Sequence, residues 1–484
     1  MDSDKEVLQG QLSRSLKSRH VNMITIGGAI GTGLFLNSGY SVHEGGSGGA
    51  LLSFAIGGVM VYLVMTSLGE MATFMPVAGA FETYCNKFVD PAFAFAVGWM
   101  YWLSWALVMA TELVAAQIII SYWFPGVPGW VWVFLFAALL FTINAINVRG
   151  YGETEFWFAG IKVIAIIVFL IVGFLMVLGI LGGHAYGISN FISSENGGAF
   201  PNGPLAVVMV MFSAMYTYTG TECVGMAIGE TENPDVNIPK AINNVVWRIL
   251  LFYILGIFFI GCIIPYQEAS VNVSPFVYVF AQSNIPIFST VAATIMNAVV
   301  LTSILSCSNS GLYVASRILW SMAREKKAPA ILGTVNKKTK VPMASLICTV
   351  AFSFIAFATS FMPISSVYIA LCAAVGLSAL IGWIGISTSH YRFRKWYVLK
   401  GYKLEDLKYK AKFYPVGPIL CLILTVMVIV GQVLDSDAML SLVYGIPLFI
   451  ILFVFYKVKY KTKMVDLNTL ELKDIEHLRY KPEQ

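Results

Sequence analysis

Long apolar stretches alternate with short polar segments along the whole chain of 484 residues. A transmembrane helix needs about 20 mostly apolar residues, and twelve stretches approach or exceed that length. We number them as spans one to twelve, at residues 21–42, 49–68, 91–122, 130–147, 156–181, 203–229, 245–265, 278–316, 342–361, 363–387, 414–434 and 440–457. The eighth stretch is too long for one crossing, so we expect it to continue as a helix beyond the membrane. The pattern predicts an all-α polytopic membrane protein.

The composition excludes several classes of protein. Hydrophobic residues make up 58% of the chain and charged residues 12%, whereas a soluble domain is about 25% charged. A disordered chain, a secreted disulfide scaffold and a nucleic-acid binder are therefore not expected. The seven cysteines have no CxxC spacing and the five histidines are scattered, so we predict neither a metal site nor a cofactor. The chain contains no GxxxxGK(S/T) motif, which disfavours a pump driven by nucleotide hydrolysis.

Lysine and arginine are concentrated in one set of connections, of which 317–340 and 392–412 are the richest. The alternate connections contain neither residue: 43–48, 123–129, 182–202, 266–277 and 435–439. Since cytoplasmic loops are enriched in basic residues, we expect both termini in the cytoplasm. The net charge of +5 then faces anionic lipid rather than nucleic acid. The polar N-terminus predicts no cleaved signal peptide.

These spans and charges predict a simple organisation of the chain. A transport core of ten spans is preceded by a cytoplasmic tail and followed by a cytoplasmic loop, two further spans and a second cytoplasmic tail. The segments are 1–20 for the first tail, 21–387 for the core, 388–413 for the loop, 414–457 for spans eleven and twelve, and 458–484 for the last tail.

Glycine is unusually dense in the first span, where Gly27, Gly28, Gly31 and Gly33 fall within seven residues. Each costs about 1 kcal/mol against alanine in a helix interior. Close helix packing through small residues is one interpretation. The other is an unwound segment at mid-membrane, whose free amides and carbonyls face a substrate.

The sixth span has a second interruption, at Gly220, Gly225 and Gly229, and also contains Glu222. Two glycine-interrupted helices, at positions one and six, are typical of an inverted repeat of five helices each. Spans one to five and six to ten are then the two halves, with discontinuous helices one and six. The pairing favours unwinding over packing alone.

Five segments together resemble the amino acid–polyamine–organocation superfamily, in its bacterial amino acid transporter branch. They are 26–35 (IGGAIGTGLF), 67–71 (SLGEM), 220–222 (GTE), 237–241 (NIPKA) and 309–311 (NSG). Scaffold segments such as 148–153 (VRGYGE) and 389–394 (SHYRFR) are most similar to bacterial lysine-specific permeases. The resemblance implies a LeuT-type fold in the bacterial cytoplasmic membrane and secondary active transport of an amino acid.

Ionisable residues at membrane depth are functional candidates. We expect Lys162 to be the only basic residue well inside a span, and Glu112 and Glu222 to be the only deep carboxylates of the core spans. In the superfamily, proton-coupled members place a lysine where Lys162 lies and sodium-coupled relatives bind an ion, so the resemblance implies proton coupling. Lys162 snorkelling to the interface, or Glu222 clamping the unwound backbone, are the structural alternatives. Glu222 and Glu112 are expected to be proton-sensitive or substrate-facing, and Glu230 to be a gate or capping residue. The candidate proton-coupling residues are Lys162, Glu222, Glu112 and Glu230.

A substrate α-carboxylate suits the amides of the first break, and its ammonium group suits unwound carbonyls near Tyr216–Thr219. Aromatic side chains can close the pocket or stack on a cationic side chain. The candidate substrate-binding residues are Gly28, Ala29, Ile30, Gly31, Thr32, Gly33, Tyr101, Trp105, Tyr216, Tyr218, Gly220 and Glu222. We expect L-lysine as substrate, coupled to protons; another amino acid (arginine, histidine or a neutral one) or a sensor with little transport are the alternatives.

Overall fold

The computed structural model of the protein describes residues 30–77, 80–146, 148–193, 197–222, 234–270, 273–283, 286–336 and 338–476. Within these ranges all regular secondary structure is helical, without a β-strand. Nine of the described helices are long and apolar enough to cross a membrane, and two shorter apolar segments, 205–218 and 416–432, accompany them. One long helix, Asn37–Phe74, contains a kink that separates span one from span two. The expected twelve-span, all-α architecture is confirmed.

The helices of the first half follow the predicted spans closely. Span one comprises Thr32–Phe35 and the start of Asn37–Phe74, whose remainder is span two; spans three, four and five are Pro91–Ile120, Gly129–Ile146 and Val148–Val177. The kink lies at Gly46, which has φ of 71°. An added Cβ at Gly46 would lie 2.2 Å from Pro201 Cδ, so both the turn and the close approach require glycine.

In the second half, several helices differ from the predicted bounds. The elements are Leu205–Met209 and Met211–Tyr218 for span six; Pro234–Arg248, the π-helix Ile249–Ile254 and Leu255–Ile263 for span seven; Pro286–Arg324 for span eight; Met343–Ser353 and the 3-10 helix Phe354–Ser360 for span nine; Ile364–Leu399 for span ten; Val416–Gln432 for span eleven; and Ser436–Tyr460 for span twelve. Residues 275–281, predicted partly as span eight, form a separate short helix.

Span ten continues as a helix through Leu399, into the segment predicted as loop 388–413. The extension keeps an apolar face, because Phe393, Trp396 and Tyr397 are buried at helical spacing. Phe393 packs against Phe88, with ring centroids 5.4 Å apart. The helix therefore ends where its buried face ends rather than at the edge of the predicted span.

A short amphipathic helix, Ala80–Phe88, lies between spans two and three. Its buried residues Phe81, Tyr84, Cys85 and Phe88 recur at helical spacing, and the Tyr84 hydroxyl donates to the Met75 carbonyl at 2.8 Å. This helix was not predicted, because it has only nine residues and an apolar face on one side, and so is not a long apolar stretch. It packs under spans three and ten.

Burial separates the spans into an inner and an outer group. In the most apolar stretch of span three, 89% of residues are buried, and 78% in span ten, against 28% in span four and 11% in span twelve. Span three packs most extensively against spans eight and ten, and the described part of span six packs against the helix Asn37–Phe74 of spans one and two and against span ten. The interrupted spans therefore join the most buried helices.

Candidate functional site

The described start of span one is not helical at the predicted glycine-rich segment. Gly31 has φ of −138° and ψ of −146°, and the helical turn Thr32–Phe35 follows it. Leu36, with φ of −129° and ψ of −52°, then interrupts the helix again. Ile30 is fully buried, whereas Gly28 and Ala29 lie outside the described residues. Because the first amides of a helical turn have no intrahelical acceptor, Thr32 and Gly33 present donors to the protein interior.

The described helix of span six also ends inside the predicted stretch. Its helix ends at Tyr218, Thr219 has ψ of 140°, and Gly220 has φ of 93°. Glu222 is buried beside this break. Its carboxylate accepts the Gly220 amide at 3.3 Å and the Trp383 indole N–H at 3.4 Å, so it holds the unwound backbone against span ten. Gly225, Gly229 and Glu230 lie outside the described residues.

Spans one and six meet directly at their breaks. The Thr32 and Tyr216 hydroxyls form a hydrogen bond of 2.5 Å. A Cβ added to Gly33 would lie 2.6 Å from the Thr217 Cα, so the two backbones approach as closely as glycine allows. The contact continues at Asn37, whose amide donates to the Ser213 hydroxyl at 2.7 Å.

The carboxylate of Glu112, on span three, lies on the break in span one. It accepts the Thr32 amide at 3.2 Å and the Thr32 hydroxyl at 3.1 Å, and its side chain is buried. An added Cβ at Gly31 would lie 2.5 Å from Glu112 Oε1. An amide and a hydroxyl that converge on one carboxylate form an anion-binding arrangement of the kind found at helix N-termini.

A small cavity of about 20 Å³ lies between the two breaks and span three. Gly31, Gly33, Trp105, Glu112 and Tyr216 are among its lining residues. This volume holds about one water molecule, so an amino acid enters only if the surrounding spans separate. The structure is therefore closed around the site.

Two of the aromatic residues predicted to bind substrate, Tyr101 and Tyr218, do not line this cavity. Tyr218 donates to the Phe54 carbonyl at 2.9 Å and packs against Tyr253 at a centroid distance of 5.0 Å, towards spans two and seven. The Tyr101 ring packs edge-on against Phe81 at 4.6 Å. Neither residue lines the small cavity, so among the four aromatic candidates the structure brings Trp105 and Tyr216 to it.

The profile of the family described as Amino acid permease matches residues 20–469. The chain belongs to the amino acid permease family. The Lysine-specific permease LysP of Lactococcus lactis subsp. cremoris is 44% identical to this permease and covers 97% of it and 95% of its own length. The Lysine-specific permease LysP of Escherichia coli is also 44% identical, covering 95% and 96%. The Histidine permease HisP of Lactococcus lactis subsp. cremoris is 42% identical, covering 96% and 98%.

The permease also resembles a solved structure. The crystal structure of MhsT in complex with L-phenylalanine has a TM-score of 0.57 to it at 14% identity, and covers 87% of this permease and 100% of that chain. At this identity the likeness shows the fold alone. The predicted LeuT-type fold is confirmed.

The expectation of only two deep carboxylates is wrong for this permease, because Glu155 and Glu70 are also fully buried. Glu155 Oε1 lies 3.8 Å from the fully buried Lys162 Nζ and accepts the Ser306 hydroxyl of span eight at 2.7 Å. Glu70 accepts the Arg394 guanidinium at 2.5 Å near the end of span two. Span five was predicted to start at residue 156, whereas its helix begins at Val148, so Glu155 lay just outside the predicted span.

Lys162 is also not the only deep basic residue. Arg248 is buried where Pro234–Arg248 meets the π-helix, and its guanidinium donates to the Thr221 hydroxyl at 2.9 Å. It joins span seven to the break in span six. Each break is therefore hydrogen-bonded to a charged residue of a neighbouring span: the first to Glu112 of span three, and the second to Arg248 of span seven.

Proposed function

We propose that this permease takes up L-lysine across the bacterial cytoplasmic membrane by alternating access, coupled to protons. Both termini face the cytoplasm in this proposal, because the lysine- and arginine-rich connections lie on the side of the termini. Two relatives that are lysine-specific permeases are 44% identical, and a histidine permease is 42% identical. Identity therefore supports an amino acid substrate, and the choice of lysine rests on the site.

The observation that carries the proposal is the position of Glu112 on the first break. The Thr32 amide and hydroxyl already bind one carboxylate, that of Glu112. A substrate α-carboxylate has the same shape and charge, and takes these donors when Glu112 moves away. The break then binds the part of the substrate that is common to all α-amino acids.

The displaced Glu112 carboxylate supplies the preference for a cationic side chain. An unpaired ammonium group in a buried pocket costs several kcal/mol, and Glu112 lines the cavity where that group arrives. Trp105 and Tyr216, which line the same cavity, add aromatic faces that attract a cation. Glu222 has a different task in this proposal, since its oxygens accept N–H groups of the broken segment and of span ten.

Proton coupling is assigned to the buried pair of Lys162 and Glu155. The pair joins span five to span eight, because Glu155 also accepts the Ser306 hydroxyl. Neutralising either partner removes the attraction between opposite charges in a medium of low dielectric constant. A proton that enters or leaves this pair therefore loosens one wall of the site, which links protonation to opening.

A competition assay on the purified permease tests the substrate. Unlabelled lysine is expected to displace bound labelled lysine at far lower concentration than arginine, ornithine, histidine or leucine. Glu112→Gln should weaken lysine binding by about tenfold or more, since hydrogen bonds to charged groups contribute about 1.5–3 kcal/mol. The exposed Glu405→Gln is the matched control and should bind as the wild type does. Equal competition by histidine or leucine would contradict lysine specificity.

A further inference from the structure

A large apolar groove lies away from the substrate site, on the outer surface of the helix bundle. It has a volume of about 1010 Å³ and is bordered by spans three, nine, ten and twelve and by the segment after span eight. Its walls are mostly aliphatic and aromatic, as Leu107, Phe352, Leu371 and Leu448 illustrate. Span twelve, one of its walls, is only 11% buried in its most apolar stretch. The groove therefore opens towards the lipid bilayer.

One end of the groove is basic. Lys326, Lys327 and Lys459 line it, and the described lining contains no aspartate or glutamate. Lys327 forms ion pairs with Glu82 and Glu325. Lys326 and Lys459 are exposed and form no ion pair within the described part of the chain. Two positive charges without an ion-pair partner among the described residues therefore lie at the mouth of the apolar groove.

A buried hydrogen-bond donor lies next to this mouth. Trp102 lines the groove, is 8% exposed, and its indole N–H has no acceptor among the described residues. Trp99, one turn earlier on span three, donates to the Lys327 carbonyl at 3.2 Å, which places that turn at the level of the lysines. Trp102 follows three residues later, about 4.5 Å further along the helix. Its ring lines the groove just below the charged level, and because the indole nitrogen itself is buried, a rotation of the side chain is needed to bring the free N–H into the groove.

We propose that this groove binds an anionic diacyl phospholipid of the leaflet on the basic side. The phosphate lies between Lys326 and Lys459, an ester carbonyl accepts the Trp102 N–H one turn deeper, and the acyl chains follow the apolar walls. Basic pockets between transmembrane helices on the cytoplasmic side are known to recognise lipid headgroups. A zwitterionic lipid brings no net charge to the two lysines. A second copy of the chain, docked through span twelve, is the alternative occupant of the groove.

Native mass spectrometry of the full-length permease tests the proposal, after delipidation and titration with phosphatidylglycerol or phosphatidylcholine of the same acyl composition. The wild type should bind phosphatidylglycerol in preference. The double variant K326Q/K459Q should lose about thirtyfold in that affinity, the expected effect of two lysines near an anionic headgroup. Trp102→Phe, which keeps the ring and removes the donor, should lose about fivefold. Phosphatidylcholine binding should change little in the lysine variant.

The matched control is K408Q/K410Q, which removes the same charge from exposed positions on the same basic side that do not line the groove. It should bind phosphatidylglycerol as the wild type does. Equal binding of the two lipids by the wild type, equal losses in the control, or wild-type affinity in K326Q/K459Q would each overturn the proposal. A lipid-free dimer as the main species would overturn it in favour of a second copy.

Discussion

Gly33 lies where the breaks in spans one and six are in direct contact. We predict that Gly33→Ala impairs the permease. The added Cβ would lie 2.6 Å from Thr217 Cα and 3.0 Å from Thr217 Cβ, whereas ordinary contact begins at 3.4 Å. The closest atom belongs to the backbone, so no side-chain rotation relieves the overlap of roughly 0.8 Å. Spans one and six must move apart instead. Overpacking of this kind costs about 1–3 kcal/mol, which corresponds to about 5–150-fold in an equilibrium.

The assay is labelled-lysine uptake normalised to permease abundance in the membrane, together with the thermal unfolding midpoint of the purified protein. Gly256→Ala is the matched control, because it lies on span seven facing span one and its nearest atom, Leu34 Cδ1, is 3.7 Å away. Alanine stabilises a helix interior by about 1 kcal/mol relative to glycine, so the control should equal or exceed the wild type. Gly33→Ala should lower both uptake and midpoint. Wild-type values for Gly33→Ala would refute the close contact of spans one and six.

Three further predictions concern the residues around the two breaks. Gly31→Val should abolish the thermal stabilisation by lysine without impairing membrane insertion, because its Cβ would lie 2.5 Å from Glu112 Oε1; a normal thermal shift would move the substrate site elsewhere. Glu155→Gln should destabilise the permease by about 3–5 kcal/mol, and adding Lys162→Met should recover folded protein but not proton-driven uptake. Uptake recovered in that double variant would contradict the coupling role. Glu222→Gln replaces one oxygen by a donor and so should reduce uptake more than abundance; equal losses would leave it a purely structural residue.

The interruptions of spans one and six could be predicted because glycine is the usual residue where the backbone leaves the helical conformation. Dense glycines marked the first break, and Gly220 marked the end of the described helix of span six at Tyr218. Helical geometry explains the outcome for the aromatic pair, since residues two apart on a helix point about 200° apart. Tyr216 faces the cavity, so Tyr218 faces spans two and seven.

The partners of the buried charges were not predictable in this way. Composition and depth identified Glu112 and Lys162, but the bond from Thr32 to Glu112 joins residues 80 positions apart. Such a contact depends on how spans one and three cross, which hydrophobic periodicity does not encode. Glu155 required the true start of span five at Val148, which lies before the apolar stretch that begins at residue 156.

The central claim is proton-driven uptake of lysine. It is tested most directly by measuring lysine accumulation in proteoliposomes that contain the purified permease, with an imposed proton gradient, acidic outside, and no sodium present. We expect uphill accumulation of lysine that collapses when a protonophore is added and that is lost in Lys162→Met. Strict dependence on sodium, or binding of lysine without any accumulation, would contradict it.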